Sequence, residues 1–324
     1  MRKSWIPWLL LAVAPLVLGG ALLIGPTPVA LLDPHTALGR AVLLLRLNRV
    51  GAGFAVGAAL AGAGVVLQAL LRNPLAEPYV LGVSSGAALG AALAIFFGLT
   101  TLGALVLPAS AFALGLATMA LVYALGSHHG APSLYGLLLS GVIVSAVASS
   151  LLMLLISLAP VEGLHSITWW MLGNLQSASG PLLAGCVALM AIAGGGVWLF
   201  ARELDALTLG REMAHHLGAR PGLVVGLGLA GATLLTAAAV ALAGLIGFVG
   251  LVVPHVMRSL IGPAHRRLLP TAALVGGLLL VLCDALARTV AAPLEVPVGV
   301  VTALLGGPFF IVVLRRRRKA GWVE

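Results

Sequence analysis

The chain has 324 residues, of which 61% are hydrophobic and only 8% charged, with a mean hydropathy of +1.15. That much apolar surface cannot be hidden in a water-surrounded core, so the composition excludes an ordinary soluble domain and points to a polytopic membrane protein. The net charge of +9 does not signal nucleic-acid binding, because the cations sit in short clusters between apolar runs and not along one polar face.

The uncharged run over residues 6–32 follows Met1-Arg2-Lys3. It is too long for the h-region of a secretory signal and has no clear small-x-small cleavage site, so it is expected to be a retained first span. Asp33, His35, Arg40, Arg46 and Arg49 then read as a polar connection. A second span is expected over 50–71, which carries no formal charge and meets the ~20 residues one bilayer crossing needs. It ends at the turn 72–78, where Pro74 and Pro78 each remove a backbone donor and bias the preceding residue out of the helical region. Small residues recur at four-residue spacing, Gly53, Gly57 and Ala61, then Gly82, Gly86 and Gly90, as close packing between membrane helices requires.

No Asp, Glu, Lys or Arg occurs from 78 to 161, which is room for three crossings, broken near 100–103 and 127–130 where polar and helix-weak residues collect. The segment bearing Trp169 and Trp170 reads as an interfacial helix and turn. A sixth span covers 181–200. The polar stretch 202–220 must lie outside the membrane. Leu207, Ala214 and Leu217 fall there at near-helical spacing with breaks at Gly210 and Gly218, which suits either two short amphipathic helices or a solvated loop. The uncharged run 221–257 is short for two full helices, so a seventh span and a shorter, glycine-rich eighth are expected. The ninth covers 268–288 and the tenth 304–314 with some preceding residues.

Ten spans place both termini on one side, and that topology puts 14 of the 18 Lys and Arg in segments expected to be cytoplasmic, leaving Arg40, Arg46, Arg49 and Arg288 outside. A nine-span alternative would put the 315–319 cluster on the wrong side. Ten divides into two five-helix halves, and halves with an odd number of spans have opposite orientation. The echo of Ala59-Leu60-Ala61-Gly62 in Ala241-Leu242-Ala243-Gly244 agrees with inverted repeats.

Three ordered blocks carry a resemblance. Arg46-Leu47-Asn48-Arg49, Gly57 to Gly62, Gln68-Ala69, Asn73-Pro74-Leu75-Ala76-Glu77-Pro78 and Leu81-Gly82-Val83-Ser84-Ser85-Gly86 form the first. Gly247-Phe248-Val249-Gly250 through Pro254-His255 forms the second. Asp284 with Ala287-Arg288 and the run Pro297 to Gly306 forms the third. Together they closely resemble the FecCD family, membrane subunits of ABC importers for iron-siderophores, haem and cobalamin, and the likeness covers nearly the whole chain as a single permease domain, 1–324. The resemblance implies an all-α fold of about ten transmembrane helices working as a homodimer in the bacterial inner membrane, with both termini cytoplasmic. It implies as partners two ABC ATPase subunits, which would hold ATP and Mg, and a periplasmic substrate-binding protein. It also implies an ATPase-coupling loop at 202–220, carried by Leu209, Gly210, Ala214, Leu217 and Gly218. Arg46, Arg49 and Arg288 resemble docking points for acidic residues of the binding protein, against the plainer reading that they snorkel to the membrane boundary. Gly82, Ser84, Ser85, Gly86, Gly247 and Gly250 are expected in helix packing and the pathway. Among cargoes the lean is to haem.

Other functional classes find weaker support in the residues. Gly82-Val83-Ser84-Ser85-Gly86 fits G-x-S-x-G and His255 is polar near embedded sequence, but a nucleophile elbow needs a strand before it, so an intramembrane serine hydrolase is disfavoured. An ion-coupled transporter would want a deep carboxylate; Asp284 is the candidate, and an i, i+4 pair with Arg288 is the simpler account. His165 is the least implausible haem ligand. Cys186 and Cys283 have no partner at ligand spacing, so buried thiols, neither disulfide nor metal site, are expected. The chain has two lysines, Lys3 and Lys319, and neither ends a P-loop, so it is not expected to be an enzyme and ATP hydrolysis belongs elsewhere.

Overall fold

The computed structural model describes residues 5–25, 33, 35–128, 131–176 and 179–319. Among these, thirteen α-helices follow one another: α1 (Ile6–Leu23), α2 (Ala37–Leu70), α3 (Val83–Phe96), α4 (Val106–Gly126), α5 (Leu134–Leu158), α6 (Val161–Met171), α7 (Gly180–Leu199), α8 (Ala201–Thr208), α9 (Arg211–His216), α10 (Pro221–Ala243), α11 (Val249–Ile261), α12 (His265–Ala287) and α13 (Val298–Lys319). The only strand pairing among the described residues is a two-residue ladder, Ser127–His128 with Ala131–Pro132, at the break expected between α4 and α5. Seven helices are long and apolar enough to cross a bilayer, and α3, α11 and the apolar part of α13 are shorter. The ten expected spans correspond to these seven plus three, and α6, α8 and α9 fall on the segments expected to be interfacial or extramembrane. Arg2 and Lys3 lie outside the described residues.

One boundary needs correction. Arg40, Arg46 and Arg49, expected in a polar connection, lie on the first part of α2, which starts at Ala37 behind Thr36, whose side chain accepts a hydrogen bond from the Gly39 backbone N–H. Nothing between Ala37 and Leu70 breaks a helix, and arginine is a good helix former, so charge alone did not mark an end. At 34 residues α2 is about 51 Å long. It is the axis of the molecule: every residue from Ala59 to Leu70 is buried, whereas α1, α5 and α7 expose most of their surface.

The packing pairs come in exchangeable sets. α2 packs against α12 as α10 packs against α4; α11 lies on α2 as α3 lies on α10; α1 meets α2 as α7 meets α10. Exchanging α1–α5 with α7 and α10–α13 maps each of these contacts onto another, as two related five-helix halves require, while the contacts of α1 with α12 and of α7 with α2 have no counterpart of similar extent. Glycines set the closest approaches. A Cβ on Gly57 would run into the Gly276 carbonyl and one on Gly276 into that of Gly57; Gly64 meets Gly250 in the same way, and Gly86 and Gly90 meet Thr118 and Ser110 on α4. Packing explains the four-residue spacing.

Candidate functional site

Three polar regions stand out from the apolar bundle: one at the end carrying α8 and α9, one between the halves, and one at the opposite end.

At the first, α8 turns its Leu204 and Leu207 inward and α9 buries Ala214 completely. Gly210 separates the two helices at φ +124 and Gly218 ends the second at φ +84, conformations in which a side chain would be strained. The outward face carries Leu209, Met213 and Leu217, four residues apart and all more than half exposed. Two short amphipathic helices thus replace the solvated-loop alternative. The expected contact set divides: Leu209 and Leu217 are presented, Gly210 and Gly218 shape the turns, and Ala214 faces the chain's own core. Beside α9 an open hollow of about 760 Å³ is bounded by Arg72, Tyr135, Leu209, Arg211, Met213 and His216 among others. Asp205, on α8, locks this unit to the bundle. Its Oδ1 accepts from the backbone N–H of His265 at 3.0 Å and lies 2.6 Å from His265 Nδ1. Ala264, the residue before α12, has no side chain that could cap it, and the Asp205 carboxylate takes that place at the positive helix end.

Between the halves, the connectors 71–82 and 244–248 interlock. Glu77 Oε1 accepts from the Phe248 N–H at 2.7 Å, and the Tyr79 hydroxyl both donates to the Ile246 carbonyl and accepts from the Ile246 N–H, each at 2.9 Å. Each connector leads into a short helix through a left-handed residue, Gly82 (φ +88) before α3 and Phe248 (φ +69) before α11. Non-helical backbone inside a membrane bundle is tolerable only when its polar groups find protein partners, and these bonds provide them. Gln68, buried in α2, places Nε2 within 3.4–3.5 Å of the Ala76, Gly250 and Leu251 carbonyls, and its Oε1 accepts from Arg258 at 2.8 Å. Gly247 lies beside Glu77, and Gly250 packs on Pro78 and α2. Ser84 and Ser85 are half-buried at the start of α3, with Ser85 Oγ donating to the Gly82 carbonyl at 2.9 Å. A turn, not a strand, precedes them, so the nucleophile-elbow geometry is absent from this segment.

At the opposite end the three arginines are placed together, but inward. Arg46 is buried and donates to the Leu22 and Leu23 carbonyls at the end of α1. Arg288, 2% exposed, binds Asp284 at 3.0 Å and donates to the Ile24 and Ala21 carbonyls. Arg49 holds Asp284 at 2.9 Å and Glu295 at 2.9 Å, with 14% of its side chain exposed. The i, i+4 pair expected for Asp284 and Arg288 is present, with Arg49 as a second partner the sequence spacing did not reveal. Unpaired C-terminal carbonyls of α1 and a buried carboxylate need donors, and guanidinium groups supply several each. Gln176 Nε2 donates to Glu295 Oε2 as well. His165 lies on exposed α6 and stacks on Trp169 with centroids 6.0 Å apart.

Reading the sequence alone missed Gln68, Tyr79, Asp205, Arg258, His265 and Glu295 as a set. The available signal was a polar residue flanked by apolar ones, as at Gln68 and Arg258; their partners are far away in sequence.

Comparison with known proteins gives consistent matches. The FecCD transport family description fits residues 9–316. A hemin transport system permease of Yersinia pestis is 43% identical over 282 residues, covering 86% of this chain and 84% of the relative. A cobalamin import system permease of Halobacterium salinarum is 41% identical over 273 residues, covering 84% and 73%. A solved inward-facing metal-chelate type ABC transporter superposes with a TM-score of 0.86 at 33% identity, covering 96% of this chain and 98% of that one.

Proposed function

Since the chain belongs to the FecCD transport family, we propose that it is the membrane-spanning permease of an ATP-driven importer for an iron chelate or cobalamin, haem being the cargo favoured. Two copies would form the pathway, with an ATPase subunit on each and a substrate-binding protein at the far end. The observation that carries this reading is the α8–α9 unit, a bundle-anchored pair of helices on a polar segment that leaves Leu209, Met213 and Leu217 exposed. A contiguous apolar stripe on a polar segment is a partner surface. Haem rests on the 43% identity with the hemin permease, which the 41% with the cobalamin permease nearly equals; transport assays with haem, a ferric siderophore and cobalamin decide between them. For the binding protein, Arg49 is the one of Arg46, Arg49 and Arg288 with enough exposure to reach a docking carboxylate.

The decisive experiment replaces Leu209 and Met213 together with Glu. The variant is expected to insert and keep its helix content, while co-purification of the ATPase and import both fall roughly tenfold or more, the effect of losing a central apolar anchor. Undiminished co-purification refutes the assignment.

A further inference from the structure

An apolar furrow of about 500 Å³ runs along the outside of the bundle between α2, α7 and α12, with Leu235 of α10 at its floor. Its walls are built from small residues, Ala55, Ala58 and Gly62 on α2 and Ala191, Gly194 and Gly195 on α7. Nothing lies within 4 Å of a Cβ placed on Gly195, so the missing side chains leave open space here, in contrast to the helix contacts described above. Along α7 the lining extends from Val187 to Trp198, about 16 Å at 1.5 Å per residue. That is close to half of a hydrocarbon core of ~30 Å, the depth of a single leaflet.

The chemistry changes at one end. Trp198 and Arg266 line the mouth nearest α8; the guanidinium lies 5.5 Å from the indole centroid, and Trp198 Nε1 donates to the Arg266 carbonyl at 3.0 Å. An indole with an exposed arginine is the pairing expected at headgroup level. Arg267 adds a second exposed cation beside it, and no carboxylate lines the furrow.

We propose that this furrow is a binding site for an anionic glycerophospholipid, one acyl chain lying along the small residues of α2 and α7 and the headgroup phosphate held at Arg266. Depth, lining and charge agree on that occupant. A second protein helix would match the apolar walls but gives Arg266 no anion. A zwitterionic lipid would fill the furrow but gain less at its cationic mouth, where each cation near an anionic surface contributes about fivefold in affinity.

Native mass spectrometry of the full chain in neutral detergent tests this, titrating phosphatidylglycerol against phosphatidylcholine with the same acyl chains. Wild type is expected to retain one phosphatidylglycerol per chain about fivefold better than phosphatidylcholine. Arg266→Gln should bring that ratio near one, with phosphatidylglycerol retention falling more than that of phosphatidylcholine. Ala191→Leu combined with Gly195→Leu should abolish retention of both lipids. Equal retention of the two lipids by wild type overturns the proposal, as does unchanged phosphatidylglycerol preference in Arg266→Gln. Conversion of a dimer to monomers by the leucine pair would assign the furrow to a second copy and overturn it too. Arg266 is exposed, so its substitution carries the test alone if the leucine pair fails to insert.

Discussion

Asp284 is the residue on which the end of the bundle opposite α8 depends. It is 2% exposed and sits between Arg49 and Arg288, which in turn hold Glu295 and the last carbonyls of α1. Removing one partner of a buried ion pair strands the others without compensation, so Asp284→Asn is expected to destabilise the protein by about 3–5 kcal/mol. Glu295→Gln, at the partly exposed side of Arg49, should cost about 1 kcal/mol or less. Thermal unfolding of the two variants in detergent measures the contrast, and equal melting temperatures would contradict the structural role assigned to Asp284. The same geometry revises what charge reversal means here. Arg46→Glu would leave the Leu22 and Leu23 carbonyls without their donor before any partner protein is involved, so binding-protein docking is better probed at Arg49 with a folding control alongside.

At the scale of elements, α8–α9 and the interlocked connectors behave differently under substitution. Ala214 is fully buried, so Ala214→Glu places a charge in a packed interior and should dislodge α9 itself, lowering the yield of folded protein. Met213→Glu, one residue earlier and exposed, should leave folding intact and weaken ATPase binding alone. Folded yield by size exclusion, set against ATPase co-purification, separates the two; an Ala214→Glu protein of normal yield would show that α9 can turn its other face inward. In the connectors, Tyr79→Phe removes the hydroxyl that satisfies both backbone groups of Ile246. Each group left unpaired costs about 1–3 kcal/mol. Amide hydrogen exchange should therefore rise across 244–248 in Tyr79→Phe, and protection equal to wild type would mean that this bond does not hold the halves together.

At the scale of the whole molecule, the distribution of exposed apolar surface sets the expected assembly. The second half of α2 and most of α10 are enclosed, while α5 presents Val142, Ile143, Val147, Leu151 and Leu154, and α13 presents Leu304 and Leu305. A surface of this kind meets lipid or a second copy equally well in energy, so stoichiometry must be measured. The complete transporter is expected to contain two copies of this chain and two ATPase subunits by native mass spectrometry. An active complex with a single copy would refute the homodimer.

Much of the architecture was legible from the amino-acid order because membrane insertion depends on local quantities: the length of apolar runs, the side on which cations cluster, and the glycines and prolines that punctuate helices. The ten apolar segments, the interfacial helix at Trp169 and Trp170 and the pair of short helices around Gly210 all follow from such quantities. The tertiary structure decided which way the polar side chains face. A charge pattern cannot show whether Arg46 reaches water or the α1 carbonyls 23 and 24 positions away, nor whether Ala214 looks toward a partner or its own core, which depends on how α9 folds onto α8 and α10. Inside a bundle without water, every polar group must find a protein partner. That requirement made Arg49, Gln68 and Tyr79 into fastenings between distant segments, and only the packed helices determine which segments those are.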